Sequence, residues 1–180
     1  MTVFHNAIVR FSVALVVATG ITACSPTYNW RQLSFENVPA SALMPCKPER
    51  SSRDVPLAQP AVKLEVRACD TDGFTFAVSW IVLPPDASAD EALASWRQAA
   101  AASIRATVPD TPTRSWSVKA SDAAGRWTAT GQRQSGERVD AEWGYLRQGQ
   151  ILVQMAVYGT KPASPVANQF WDGFTWQKSN

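Results

Sequence analysis

An alternation of apolar and polar residues predicts a β-hairpin in the middle of the chain. Residues 62–68 (VKLEVRA) are apolar at every even position and carry charged residues between them, among them Glu65 and Arg67. This period of two is typical of a strand with one face in solvent. Residues 70–73 (DTDG) predict a tight turn, because Asp-Gly favours positive φ. Residues 74–83 (FTFAVSWIVL) are apolar on both faces, which predicts a central strand in a sheet covered on both sides.

A long amphipathic helix is predicted after this hairpin. Residues 84–86 (PPD) break the strand, and Ser88 with Glu91 forms a capping box that begins a helix. Apolar side chains then recur at spacings of three and four residues, and the stripe comprises Leu93, Trp96, Ala100, Ile104 and Val108. Pro109 is expected to end the helix, whose apolar stripe packs on the sheet.

The segment before the hairpin predicts a short strand and a loop. Residues 33–38 (LSFENV) have strand character, and residues 42–44 (ALM) continue it or form an edge segment. Residues 47–60 contain three prolines and mixed charges, which predicts a loop or an irregular edge segment, with Arg50 and Arg53 in solvent.

The C-terminal part predicts a meander of four strands and a closing helix. The strands are expected at residues 116–120, 127–132, 139–145 and 151–158, with turns at 121–125, 134–136 and 148–149. Residues 164–176 (SPVANQFWDGFTW) open as a short helix with Ser164 as N-cap and Pro165 at the first helical position. Gly173 is expected to end or kink that helix.

These elements predict an α+β fold: a mainly antiparallel sheet of about six to seven strands, with one long helix and a C-terminal helix packed on it as an α/β/α sandwich. The order of elements, the Leu43-Met44-Pro45 motif after the opening strand and the Phe-Trp-Asp-Gly-Phe of residues 170–174 resemble the PsbP/Mog1-like fold. The layout is also similar to small uncharacterised bacterial lipoproteins. This resemblance implies a non-catalytic accessory or binding protein, and no functional residue of the fold carries over to a position here.

The N-terminus resembles the processing site of bacterial lipoproteins. Residues 21–24 (ITAC) match the lipobox, in which a cysteine becomes lipid-linked, and follow Arg10 and the short apolar run 11–19. We therefore predict a signal peptide at residues 1–23, a lipidated Cys24 with a short tether at 24–29, and one globular domain at 30–180. An ordinary secretory signal with a chance cysteine, or a short uncleaved anchor, is the alternative.

The resemblance also implies a location in the bacterial cell envelope. Several acyl chains on Cys24 hold a protein at the bilayer almost permanently. Ser25, in place of an aspartate, resembles the class sorted to the outer membrane, facing the periplasm, more than the class kept at the inner membrane. That step assumes a source with two membranes.

The two other cysteines are expected to form a disulfide. If Cys24 carries lipid, Cys46 and Cys69 remain as an even pair in an oxidising compartment. A metal or redox pair is the alternative, but the two thiols are far apart, no histidine is near, and no C-x-x-C motif is present.

Composition excludes several chemistries. Removal of the first 23 residues leaves 157, with 16 basic against 15 acidic side chains, so net charge indicates no nucleic acid partner. The only histidine, His5, leaves with the signal, which excludes histidine-based catalysis and histidine-ligated metals. No phosphate loop or metal motif is present, so no cofactor and no catalytic residue are predicted.

Three carboxylate pairs remain as candidate chemistry: Asp70 with Asp72, Asp90 with Glu91, and Asp140 with Glu142. A turn explains the first pair and a helix cap the second. The third alternates onto the solvent face of a strand beside Arg138, where salt pairing explains it. A carboxylate enzyme, such as a glycan-cleaving one, is the least favoured hypothesis.

Two functional hypotheses therefore stand. The first is a lipid-anchored accessory or assembly module that binds a protein partner in the envelope. The second is a binder of a small apolar or aromatic ligand, suggested by eight tryptophans. Most of these are expected to fill the core, with Trp30 and Trp176 the most exposed. An open aromatic patch favours the first hypothesis, and a closed concave pocket with one or two polar groups favours the second.

Overall fold

The computed structural model describes residues 27–161 and 165–177. In chain order its elements are β1 (Arg31–Ser34), β2 (Ala40–Met44), β3 (Glu49–Val55), β4 (Val62–Thr71), β5 (Phe74–Val82), α1 (Ala89–Ser103), β6 (Ala123–Gln132), β7 (Arg138–Gln148), β8 (Ile151–Gly159), α2 (Val166–Asp172) and β9 (Thr175–Trp176). The predicted signal peptide, Cys24 and Ser164 lie outside the described residues.

Two antiparallel sheets form the fold. The larger has six strands in the order β3-β4-β5-β8-β7-β6, and the smaller has three in the order β1-β2-β9. The predicted α+β class with a mainly antiparallel sheet and two helices is confirmed. The strand number is higher than the predicted six to seven. The strand predicted at 33–38 ends at Ser34 and Ala40–Met44 is a strand of its own, while β3 and β9 pair through their backbones without a strong apolar pattern.

The central strand β5 separates two apolar cores, as its two apolar faces predict. Its even-numbered side chains, from Phe74 to Trp80, pack with α2 and the three-stranded sheet on one face. Ala77 and Ile81 point to the other face and pack with α1. The large sheet is therefore covered on both faces, and its period-two pattern assigns each residue to one of the two cores.

The turn between β4 and β5 has the predicted chemistry. Asp72 and Gly73 both adopt positive φ, 53° and 76°, in a two-residue connection. This is the combination that a type I′ turn requires, and its twist matches that of the flanking strands.

Helix α1 begins as predicted but ends earlier. The Ser88 hydroxyl accepts from the Glu91 amide at 3.3 Å. The helix stops at Ser103, since Arg105 has a φ of 53° and the amides of Arg105 and Ala106 bond back to Ala102 and Ala101. This is the double hydrogen bond of a Schellman motif. The expected continuation to Val108 is wrong, because Arg105 takes the left-handed position that glycine usually fills.

Half of the segment 47–60, which was predicted to be a loop or an irregular edge, is a regular edge strand. Glu49–Val55 forms the edge strand β3, whose register with β4 runs from Glu49 opposite Ala68 to Val55 opposite Val62. Six of its seven residues are exposed, so it is held mainly by backbone pairing with β4. Its polar, charged side chains explain both why no strand pattern was visible and how the exposed edge is protected from further pairing.

The disulfide between Cys46 and Cys69 is present, with a Cα to Cα distance of 6.0 Å. Cys69 lies in β4, and Cys46 lies three residues before β3 begins. The bond therefore fixes the start of β3 beside β4.

Two predictions for the meander are wrong. Residues 116–120 form no strand; only Arg114 makes a single bridge to Arg126 at the edge of β6. Residues 121–125 do not form a complete turn, because β6 begins at Ala123. The other three strands lie at the predicted places, but β6 and β7 are longer than predicted and the turn after β7 is at 149–150. Helix α2 begins at Val166, so Pro165 precedes its first residue, and Gly173 ends the helix as expected.

Candidate functional site

The first described residues are tied to the turn between β4 and β5. The Thr71 hydroxyl donates to the Thr27 carbonyl at 2.6 Å, and the Tyr28 hydroxyl donates to the Asp72 carboxylate at 2.7 Å. Cys24 precedes Thr27 by three residues, which a chain can extend over about 11 Å at most. A lipid anchor at Cys24, as predicted from the sequence, would start within that distance of Thr27.

We call this end of the large sheet the anchor end, after the lipid anchor predicted at Cys24. Strand register places the β6–β7 turn and the end of β8 there too, because Phe74 pairs with Gly159 and Gly159 pairs with Asp140. The β7–β8 turn lies at the opposite end, about 30 Å away along β8 at about 3.4 Å per residue. No helix within residues 27–161 and 165–177 is long and apolar enough to cross a membrane.

An aromatic cleft, which we call the tryptophan groove, lies at the end opposite the anchor end. It has a volume of about 570 Å³ and is lined by Trp116, Val118, Trp171, Phe174 and Trp176 together with polar residues of the same segments. Its position follows from two hydrogen bonds: the Trp176 indole donates to Ser121 at 2.8 Å, and the Gln148 amide donates to the Ala120 carbonyl at 3.0 Å.

The aromatic rings of the groove are held by edge-to-face contacts. The rings of Trp116 and Trp171 are 5.6 Å apart, and those of Phe174 and Trp176 are 5.0 Å apart. Trp171 and Phe174 are buried, whereas Trp116 and Trp176 are half-buried. The buried rings of Trp171 and Phe174 therefore form the floor of the groove, and the indoles of Trp116 and Trp176 are partly accessible.

Most of the eight tryptophans fill the core, as predicted. Trp80, Trp96, Trp127, Trp143 and Trp171 are buried. Trp30 and Trp176, expected to be the most exposed, are half-buried, and so is Trp116. Trp30 packs beside Tyr28, with ring centroids 6.2 Å apart, so it does not share the groove with the other two.

A second cleft of about 570 Å³ lies on the face of the sheet that carries α2, and we call it the polar groove. Four basic side chains, two carboxylates and two threonines line it: Arg114, Arg126, Thr128, Thr130, Arg138, Asp140, Glu142 and Lys161. These belong to the cleft because even-numbered residues of β6 and β7 point to this face, with Thr128 opposite Glu142 and Thr130 opposite Asp140. The basic side chains outnumber the carboxylates two to one.

Glu142 is buried, which corrects the prediction that it lies on a solvent face. Its carboxylate accepts from Arg126 Nε at 2.8 Å, and the two side chains are only 11% and 13% exposed. The Arg126 guanidinium also lies 4.3 Å from the centre of the Trp171 ring. Helix α2 covers this part of the sheet. The ion pair of Arg126 and Glu142 is therefore in the interior, although the sequence pattern of the strand indicates a polar face.

Asp140 has the salt pairing that the sequence suggested. It accepts from the Thr130 hydroxyl at 2.6 Å and from Arg138 Nη2 at 3.1 Å. The Thr130 hydrogen bond, followed by the interactions with Arg138, lowers the pKa of Asp140 below its ordinary value. A carboxyl group with a lowered pKa is ionised at neutral pH and is poorly suited to act as a general acid.

The other two carboxylate pairs have structural roles. Asp70 accepts from Thr75 at 2.6 Å, and Asp72 accepts from Tyr28, so both brace the β4–β5 hairpin. Asp90 forms an ion pair with Arg147 at 2.8 Å. The described part of the chain contains no cluster of three or more His, Cys, Asp or Glu residues that could hold a metal ion.

Trp171 lies between the two grooves and lines both. It is 1% exposed, and its indole nitrogen has no hydrogen-bond partner among the described residues. Trp171 belongs to the Phe-Trp-Asp-Gly-Phe motif of residues 170–174, which by itself assigns it no role. The helical spacing offers no signal that one ring separates two clefts.

Comparison of the chain with protein-family models, with curated proteins and with solved structures finds no significant match.

Proposed function

We propose that this protein is a non-catalytic lipoprotein of the bacterial envelope, anchored through acylated Cys24 to the outer membrane and facing the periplasm. In this proposal it acts as an accessory or assembly module that binds a protein partner. The tryptophan groove is the surface that receives an apolar, aromatic-bearing segment of that partner.

The position of the groove relative to the tether supports this proposal. Thr27 bonds to the anchor end, whereas Trp176 bonds to Ser121 at the opposite end. A lipid on Cys24 therefore leaves the groove directed away from the bilayer. Half-buried tryptophans over buried aromatic rings are the kind of surface that contributes most to protein binding.

The arrangement of the helices supports a PsbP/Mog1-like fold. Six antiparallel strands lie between α1 on one face and α2 with the small sheet on the other. The order of elements along the chain is that of this fold: strands, then a long helix, a meander and a closing helix. We include that fold in the proposal, together with its implied non-catalytic role.

The first test asks whether the chain is lipidated and captures a partner through the groove. The full chain, with p-benzoylphenylalanine in place of Ser117 at the groove, is expressed in cells, irradiated and purified from membranes. We expect a diacylglycerol-modified N-terminus and one reproducible protein adduct. The Cys24→Ala protein should lose both the modification and the adduct.

Matched tryptophan variants test the role of the groove. Trp116→Gln removes a half-buried indole from the groove, and Trp30→Gln removes one that packs beside Tyr28 instead. We expect the first variant to lose the adduct and the second to keep it, with circular dichroism confirming that both fold. Equal adduct yields from the two variants would overturn the proposed interaction surface.

A binder of a small apolar or aromatic ligand is the second candidate. The groove volume of about 570 Å³ lies within the range of small-molecule sites, about 300 to 1,000 Å³. Native mass spectrometry of the protein purified from membranes distinguishes the two candidates. A retained small molecule that is lost from Trp116→Gln would support this candidate over a protein partner.

A further inference from the structure

The polar groove lies on the same side of the fold as the tether. Phe74, Gly159 and Lys161 line it, and these residues belong to the anchor end, where Phe74 pairs with Gly159 at the start of β5. Thr27 is bonded to Thr71, three residues before Phe74. A chain of three residues joins Thr27 to Cys24 and reaches about 11 Å at most. If Cys24 is acylated, as we proposed above, the bilayer surface and the groove are close together.

The groove carries four basic side chains against two carboxylates, and this excess of positive charge suits an anion. Arg126 and Arg138 are engaged by Glu142 and Asp140. Lys161 has no carboxylate within 4.0 Å among the described residues, and its ammonium group lies 5.4 Å from the centre of the Phe74 ring. Arg114 is 63% exposed, and its Nε lies 4.0 Å from the Glu142 carboxylate, which is too far for a hydrogen bond. Lys161 and Arg114 are therefore not neutralised by a carboxylate of their own, and the cleft also offers hydroxyl and amide groups.

We propose that the polar groove binds the phosphate of a phospholipid headgroup in the membrane that holds the anchor. Lys161 contacts the phosphate at the anchor end together with Arg138, which is 69% exposed and bonds Asp140 through Nη2, so that its remaining donors face the cleft. The groove thereby orients the domain with its tryptophan groove facing away from the bilayer. This inference rests on the proposed lipidation of Cys24. It adds a second contact with the membrane and thereby fixes the orientation of the domain.

Photocrosslinking from the two ends of the domain tests this orientation. The full lipidated chain carries p-benzoylphenylalanine either in place of Asn168, which lines the polar groove, or in place of Lys119, which lines the tryptophan groove. Each protein is reconstituted in vesicles of phosphatidylethanolamine and phosphatidylglycerol, and lipid adducts are quantified by mass spectrometry. We expect adducts from position 168 and about tenfold fewer from position 119. Equal yields from both positions would overturn the inference.

Charge-neutralising variants test the headgroup contact. Arg138→Gln with Lys161→Gln should lower the adduct from position 168 by about tenfold or more, because one basic side chain near an anionic surface contributes about fivefold in affinity. Arg53→Gln with Lys63→Gln removes the same charge from exposed positions of β3 and β4 that line neither groove, and should leave the yield unchanged. Equal losses in the two double variants would show a general charge effect and overturn the proposed contact.

Two further measurements separate the possible causes of failure. Excess inorganic phosphate should leave the adduct from position 168 unchanged, whereas its loss would assign the groove to a free phosphate instead of a lipid. The intact mass of the protein reports acylation independently. An acylated protein with no preference between the two positions contradicts only this inference, and a protein without acyl chains contradicts the proposed function.

Discussion

The Arg67 guanidinium lies over the ring of Trp80, 5.0 Å from its centre, and the arginine side chain is only 4% exposed. Its Nη2 donates to Glu36 at 3.2 Å, and its Nη1 donates to the Val66 carbonyl at 2.9 Å. Arg67 was predicted on a solvent face. The face is covered because Phe35 stacks on Trp80, with ring centroids 4.5 Å apart, and brings Glu36 over the sheet.

Replacement of Arg67 by alanine should lower the free energy of unfolding by about 2 kcal/mol, because a buried cation with its ring and carbonyl contacts is lost. Arg50→Ala is a matched control, since Arg50 bonds the same Glu36 carboxylate at 2.7 Å but is 72% exposed. That change should cost no more than about 0.5 kcal/mol. Urea unfolding measures both, and equal losses would contradict the assigned role of Arg67.

Gly131 allows α1 to close against the end of β6. A methyl group at Gly131 would overlap the backbone carbonyl of Ile104, and this same carbonyl accepts from the Gln132 amide at 2.7 Å. We expect Gly131→Ala to destabilise the domain by about 1 to 3 kcal/mol, since backbone must move to relieve the overlap. Gln132→Ala, at the exposed neighbouring position, should change stability by less than about 0.5 kcal/mol. Thermal unfolding measures the stability of both variants, and equal stability would contradict the close contact of Gly131 with Ile104.

The disulfide should contribute on the order of 3 kcal/mol, because it closes a loop between residues 23 apart in the chain. Serine at both Cys46 and Cys69 should lower the melting temperature, and a reductant should lower that of the wild type to the same extent. The double variant itself should not respond to the reductant. An unchanged melting temperature of the wild type on reduction would show that backbone pairing alone holds β3.

The pH dependence of stability should include a term from Asp140. Its pKa is lower in the folded protein than its ordinary value of 3.8. A lowered folded pKa gives a stabilisation that is present above the unfolded pKa and disappears as the pH falls through the folded value. Asp140→Asn should therefore be less stable than the wild type at pH 6, and this difference should vanish at low pH.

Thr130→Val serves as the companion variant for Asp140. It removes the hydrogen bond that contributes most to the lowered pKa, so the pKa of Asp140 should rise towards its ordinary value. A carboxylate NMR titration measures that change directly. If the titration midpoint of Asp140 is the same in the variant and the wild type, Arg138 and not Thr130 controls this carboxyl group.

The functional surfaces were only partly predictable. The abundance of tryptophan suggested an aromatic surface, and the carboxylates at positions 140 and 142 were singled out together with Arg138. The two clefts were not foreseen, because Arg126, Lys161 and Trp171 come from three separate segments of the chain. The burial of Glu142 depends on Arg126 and on helix α2 above it, and neither is its neighbour in sequence.

The sequence by itself determined the features that depend on residues a few positions apart. The Asp-Gly turn, the capping box at Ser88 and the two-faced apolar strand β5 all follow from local backbone preference and from side-chain periodicity. Tertiary structure alone decided three other features: β3 pairs although its side chains are exposed, α1 ends with Arg105 at positive φ, and Arg67 becomes buried. Each of these features depends on a distant strand or side chain that supplies a hydrogen bond or covers a face. The local sequence pattern does not indicate which residue that is.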